Sequence, residues 1–309
     1  MRRRLTCLVL AVGLAFLAAA CGASSASIDF SQVEEQAPAQ FAVPRGDVIR
    51  MAVAPVISPV PSLALYEQLA DYMSEKLGQP VELVMGKTYA EINDLVKSGD
   101  VTLALVCTNP FLQGQEEFGM ESLAAPEVAG EPYYYSLLVV RTGLDVTSLS
   151  DLRGMTFAFT DPLSNSGRLA PLYQLALLGE TPESFFSRAI FTYAHDNSIR
   201  AVADGLVDAA AVDSQVYEYL RLTEPDLVSR VKVIERWGPF GISPVAVNPN
   251  LDPELKTRLR EVFLQMDGDS QGRELLQRLL IDRFIVPGDS IYDSVREMRA
   301  YLREKGLAE

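Results

Sequence analysis

The sequence predicts an α/β protein of two lobes, and three observations carry that prediction. Short apolar strands alternate with amphipathic helices along the chain. Several strands end in turns bearing hydroxyl, amide, thiol, imidazole or carboxylate groups. Two extended stretches are placed to carry the chain from one lobe to the other and back. Once a leader and a tether are set aside, roughly 265 residues remain, enough for two lobes with their own cores.

Residues 47–53 (DVIRMAV) read as a first strand, followed by a proline-punctuated loop over 55–61. Residues 62–77 follow as a helix closed by Gly78. A strand at 81–85, a helix at 89–97 stopped by Gly99, and a strand at 101–106 (VTLALV) complete a βαβαβ order, which implies a parallel sheet flanked by helices. That third strand runs into Cys107-Thr108-Asn109-Pro110, a polar strand-to-helix turn. Residues 123–128 add a strand, and 133–140 (YYYSLLVV) a long β-forming one whose Tyr133, Tyr134 and Tyr135 pack a hinge strand, one of them lining the cleft.

Residues 148–154 form a short capped turn that restarts a second α/β unit. Thr156-Phe157-Ala158-Phe159 is a buried strand, and a helix is expected from Arg168 onward. Between them lies Asp161-Pro162-Leu163-Ser164-Asn165-Ser166-Gly167. Such a turn presents free backbone N–H groups beside hydroxyls and an amide, a setting that favours an anion or an oxygen-rich ligand. An ordinary N-cap needs the same residues. Recurrence favours the ligand: after a helix from Pro182, the strand at 190–193 ends in His195-Asp196-Asn197-Ser198, opening a helix over 199–203, and the strand at 207–212 ends at Asp213 before a helix over 215–222. Strands at 231–234 and 242–247 lead back to the first lobe, with 237–240 (WGPF) as the return hinge. Asp252-Pro253 starts a helix, and the C-terminus is helical to about Lys305. In open parallel sheets ligands bind outside the carboxyl ends of strands, so these turns mark a cleft that closes by a hinge.

Residues 1–20 read as a targeting segment: Arg2-Arg3-Arg4, an apolar run from Leu8 to Leu17, then Ala18-Ala19-Ala20. Cys21 follows directly, as in a bacterial lipobox, and 21–45 form a flexible tether. Setting Arg2, Arg3 and Arg4 aside leaves 24 of the 27 basic residues against 41 acidic ones, a net charge of about −17. That balance argues against nucleic acid or an anionic membrane surface as partner. Cys7 falls in the leader and Cys21 at the lipidation point, which leaves Cys107 alone without an intrachain disulfide. With His195 the single histidine, no His-rich metal site is expected, and no cofactor is implied.

The lipobox, TFAFTDPLSNSG, AHDNSIRAVADGLVDAAAVDS and the IDRFIVPGD and YDSVREM tail resemble the phosphate/phosphite/phosphonate substrate-binding proteins of ABC transporters, over residues 48–300. The resemblance implies a type II periplasmic-binding-protein fold, with lobe 1 from 46–136 plus 241–309 and lobe 2 from 137–240. It implies that Ser164, Asn165, Ser166, Gly167 and His195 hold the phosphonate group, and that Asp213 can receive a donor on the ligand. Cys107 and Thr108 join the candidate ligand contacts; Asp161 and Asp196 support them. Where the family often has Gly-Pro and a tyrosine three residues on, this chain has Cys107-Thr108 and Phe111. A thiol there resembles the arsenite-sensing branch of the family.

Each residue also has a plainer role: Cys107 as a small buried apolar residue, His195, Asp196 and Asp213 as helix caps. The expected function is a monomeric, lipid-anchored, extracytoplasmic receptor that passes a small oxyanion to an ABC permease, touching the membrane only through its anchor. The alternative is an arsenite-type sensor that uses Cys107 and signals to a histidine kinase. An enzyme is disfavoured, since no nucleophile elbow, metal motif or paired catalytic carboxylates appear.

Overall fold

The computed structural model describes residues 48–307. The leader, Cys21 and the tether lie outside the described residues. The first half of the chain runs β1 (Ile49–Val53), α1 (Pro59–Leu77), β2 (Val81–Met85), α2 (Tyr89–Ser98), β3 (Leu103–Leu105), α3 (Thr108–Phe118), β4 (Glu121–Glu127) and β5 (Tyr133–Arg141). Then come β6 (Thr156–Phe159), a π-turn (Asn165–Leu169), α4 (Ala170–Leu177), α5 (Pro182–Phe185), β7 (Arg188–Phe191), α6 (His195–Ala203) and β8 (Ala209–Asp213). The chain ends with α7 (Ser214–Thr223), α8 (Pro225–Val228), β9 (Val231–Gly241), β10 (Val245–Val247), α9 (Pro253–Leu264), α10 (Ser270–Leu279), β11 (Arg283–Ile285) and α11 (Asp293–Glu304).

The strands form two sheets, one per lobe, of order β11-β4-β10-β3-β1-β2 and β7-β6-β8-β5-β9. β1 pairs in parallel with β2 and β3, as the βαβαβ order requires. The sheets are nevertheless mixed: β10 runs antiparallel to β3 and β4, and β5 antiparallel to β8 and β9. The reason is the return crossing, which brings the chain back into the first sheet from the opposite end. β8 reads AAAVD and every residue is buried, because helices cover both faces and leave room only for small side chains. Ile49, Met51, Leu103, Val245, Val247 and Phe263 make the matching outer core of the first lobe.

Several boundaries move. α1 starts at Pro59 rather than residue 62, since a helix tolerates proline in its first turn. β7 ends at Phe191 rather than 193, its register set by parallel pairing of Thr156 with Arg188. The helix expected from Arg168 begins at Asn165 as a single π-turn that flows into α4. Trp237 to Phe240 belong to one continuous strand, β9, which pairs with β5 from Tyr133–Gly241 to Arg141–Val231. The two crossings between sheets are therefore side by side.

Candidate functional site

Four strand-to-helix junctions converge between the sheets: β2–α2, β3–α3, β6–π-turn and β8–α7, with α6 closing the group. His195 is fully buried at the first position of α6, and its ring is fixed from several sides. The Asp213 N–H donates to Nδ1 at 3.0 Å, and Thr160 Oγ1 lies 3.2 Å from the same atom. A backbone N–H can only donate, so Nδ1 is an acceptor and the neutral ring carries its proton on Nε2. Burial holds the imidazole down to about 3, which keeps it neutral. Nε2–H points toward Ser164 Oγ at 3.4 Å, a long contact that a ligand oxygen can improve upon.

The turn after β6 is equally specified. Ser164 Oγ accepts the Gly167 N–H at 2.9 Å, and the Ser166 carbonyl accepts the Ser136 hydroxyl at 2.7 Å. Gly167 is required by space, because a Cβ there would run into Thr160 and within 3.0 Å of the His195 ring. Asn165 donates to Tyr134 Oη at 2.8 Å. Burial pushes the Cys107 thiol up to about 11, against the pull of the Asn165 and Asn109 N–H groups.

Three polar atoms in this spot are buried without a hydrogen-bond partner among the described residues: Tyr89 Oη, Ser166 Oγ and Asn165 Oδ1. Buried polar groups are rarely left so, and a cluster of them marks a place where a ligand supplies the missing bonds. Tyr89 sits in the same electrostatic neighbourhood as Cys107, Asp161, Asp213 and Tyr134. Burial raises both tyrosine hydroxyls well above their usual range, so they remain donors. Asp213 is pushed up to about 7 by burial, against the pull of the Gln215 and Val216 N–H groups. Two hydroxyls, an imidazole N–H, an amide oxygen and a carboxyl that titrates near neutrality suit a small oxyanion that keeps a proton.

The lobes are also clasped directly. Ser58 donates its N–H at 2.8 Å, and its hydroxyl as well, to the Asp196 carboxylate. The Tyr89 N–H donates to Asp161 at 3.2 Å, Asn109 Nδ2 to the Leu163 carbonyl at 2.9 Å, and the His195 N–H to the Val56 carbonyl at 3.0 Å. Burial raises the Asp161 carboxyl, partly offset by the Leu163 and Tyr89 N–H groups.

Ser164, Asn165, Ser166, Gly167, His195, Asp213 and Cys107 are thus brought together. Two expectations need correction. Asp196 neither caps α6, whose N-cap is Ala194, nor steadies His195; its carboxylate reaches across to Ser58. Thr108 spends its proton on the Gly241 carbonyl at 2.7 Å and so anchors the return crossing. Phe111 indeed offers no phenol and packs on Tyr292. Sequence reasoning missed Tyr89 and Thr160; the signal for Tyr89 was its place at a strand-to-helix junction behind the Thr88 cap. No helix of the described residues is long and apolar enough to cross a membrane, and no described cluster of His, Cys, Asp or Glu could hold a metal ion.

Known proteins share this fold. Residues 51–292 match the family of periplasmic substrate-binding proteins of phosphonate ABC transporters. The chain is 24% identical over 240 residues to the phosphonates-binding periplasmic protein of Escherichia coli K12, covering 76% of this chain and 71% of that protein. It is 28% identical over 261 residues to the phosphate-import protein PhnD of Mycolicibacterium smegmatis, covering 80% of each. A binding protein component of an ABC phosphonate transporter from Pseudomonas aeruginosa superposes with a TM-score of 0.79 at 25% identity, over 83% of this chain and 87% of that one. The fold is that of type II periplasmic binding proteins, whose place is outside the cytoplasm. The relatives from Escherichia coli, Mycolicibacterium smegmatis and Prochlorococcus marinus are named for binding phosphonates, importing phosphate and, as a probable assignment, binding phosphite. With the match extending over most of its length, the chain belongs to the family of periplasmic substrate-binding proteins of phosphonate ABC transporters.

Proposed function

We propose that this protein is a lipid-anchored receptor that closes on a phosphonate-, phosphite- or phosphate-type oxyanion and delivers it to an ABC permease as a monomer. Cys21 would bear the lipid, residues 21–45 would tether the receptor, and residues 46–136 plus 241–309 would close against 137–240 about β5 and β9. The observation that carries this reading is the set of buried polar atoms without a partner among the described residues, Tyr89 Oη, Ser166 Oγ and Asn165 Oδ1, two of them on the turn whose Ser164 meets His195 Nε2. The phosphonate and phosphate transport named for its relatives supports it.

In this reading the ligand's oxygens take the Ser164, Ser166 and His195 donors of the second lobe first. Closure then adds Tyr89 and Cys107 from the first. Selectivity follows because a wrongly protonated ligand leaves a buried group unpaired, which costs about 1–3 kcal/mol per group. Melting the protein with phosphate, phosphite, methylphosphonate or aminoethylphosphonate tests the proposal. A ligand held at 100 times its Kd stabilises the folded state by about 2.7 kcal/mol, and Tm rises with concentration. If none of the four moves Tm or gives heat on titration, the proposal fails.

A further inference from the structure

The C-terminal helix α11 straddles the two lobes. It packs on α3 of the first and on α4 and the π-turn of the second. Its buried residues Val295, Met298 and Leu302 share one core with Phe111 of α3 and with Leu169 and Leu172 of the second lobe. Tyr301 meets Tyr173 of α4 edge-on, with ring centroids 5.3 Å apart. On the same stripe of α11 sits Arg299, a guanidinium only 8% exposed.

An arginine in such a place is costly, and an apolar side chain of similar volume often serves stability as well. What the charge does there is visible in its bonds. Arg299 Nη2 pairs with Glu116 at 2.9 Å, which ties α11 to α3. Nη1 donates to Asn109 Oδ1 at 2.5 Å. A guanidinium cannot accept a hydrogen bond, so the Asn109 amide has one sense only, its oxygen toward Arg299. Its NH2 group is thereby left to donate across the lobes to the Leu163 carbonyl at 2.9 Å, one residue before Ser164. Turned over, the amide would set its oxygen against that carbonyl, and the crossing bond would be lost.

Resting on the oxyanion-receptor reading above, we propose that Arg299 is a positioning residue for ligand capture. It acts through Asn109 rather than on the ligand: by fixing the sense of that amide it holds the Ser164 turn against the first lobe and favours closure. A double-mutant cycle on the full-length protein tests this, read by calorimetry and release rates with phosphate, phosphite, methylphosphonate and aminoethylphosphonate. Arg299→Met is expected to weaken binding about tenfold, mainly through faster release, while Tm moves little. Asn109→Ala is expected to cost about as much, and adding Arg299→Met to it to cost nothing more. Arg299→Lys keeps a donor for Asn109 and is expected to bind within about threefold of the wild type. Equal losses from Arg299→Met in the presence and absence of Asn109, or the same loss for Arg299→Lys as for Arg299→Met, would give Arg299 a packing role and end the proposal. Should Arg299→Met not fold, Asn109→Asp decides: it keeps an acceptor for Arg299 but has no donor for Leu163, so a loss of about tenfold is expected and wild-type affinity would overturn the proposal. If none of the four oxyanions binds the wild type, the oxyanion reading falls and takes this proposal with it.

Discussion

The two faces of the cleft are built differently. On the second lobe, His195, Thr160, Ser164, Gly167 and Asp213 hold one another through a closed set of hydrogen bonds. On the first lobe, Tyr89 offers a buried hydroxyl without a partner among the described residues, and Cys107 a buried thiol. A face whose donors are fixed in advance loses little freedom when a ligand arrives. A face that is completed only by approach of the other lobe makes affinity depend on closure. The second lobe would therefore set which ligand is chosen, and the first how firmly it is kept.

Breaking the preorganised face should cost most. His195→Ala removes the Nε2–H donor and orphans the Asp213 N–H, so methylphosphonate affinity should fall about a hundredfold, roughly 3 kcal/mol by calorimetry. Gly167→Ala forces a methyl against Thr160 and the imidazole; it should destabilise the fold by about 2 kcal/mol and lower Tm by about 4–8 °C. On the first lobe the effects should be smaller. Tyr89→Phe keeps the ring and loses one hydrogen bond, about tenfold in Kd, with the loss appearing mainly as faster release. Equal losses for Tyr89→Phe and His195→Ala would erase the distinction between the two faces.

A pH series sharpens the same contrast. The Asp213 carboxyl rises from 3.8 to about 7, so its stabilisation is complete below 3.8 and is lost as pH climbs toward 7. His195 drops from 6.5 to about 3, so its stabilisation is present above 6.5 and is lost as pH falls. Between 3.8 and 6.5 the two slopes oppose each other and flatten the profile. Asp213→Asn removes one of them, and denaturant unfolding of that variant should give stability that rises with pH across this window. A variant profile as flat as that of the wild type would show that His195 is not held neutral by its surroundings.

Much of the second lobe's face was legible because it is local. TFAFT, the Ser-rich turn and the HDNS junction each combine a strand end, a cap and a helix start within a few residues, and capping chemistry leaves its mark in sequence. The first lobe's share was less legible because it depends on distance. Ser58 and Asp196 are 138 positions apart, and nothing near either one announces the other. Tyr89 reads as a helix residue until the fold places its hydroxyl among buried groups. The antiparallel members of both sheets escaped for the same reason, since pairing of β10 with β3 follows from the return crossing rather than from either strand's pattern.

The clasps joining Ser58 to Asp196, Asn109 to Leu163 and Val56 to His195 link protein to protein, and none of them requires cargo. They lower the free energy of the shut receptor whether or not it is loaded, so a share of unladen molecules would present a transporter with the outline of laden ones. Tightening the clasps would then raise capture and futile docking together, a trade that bounds how strongly a receptor of this design can shut itself.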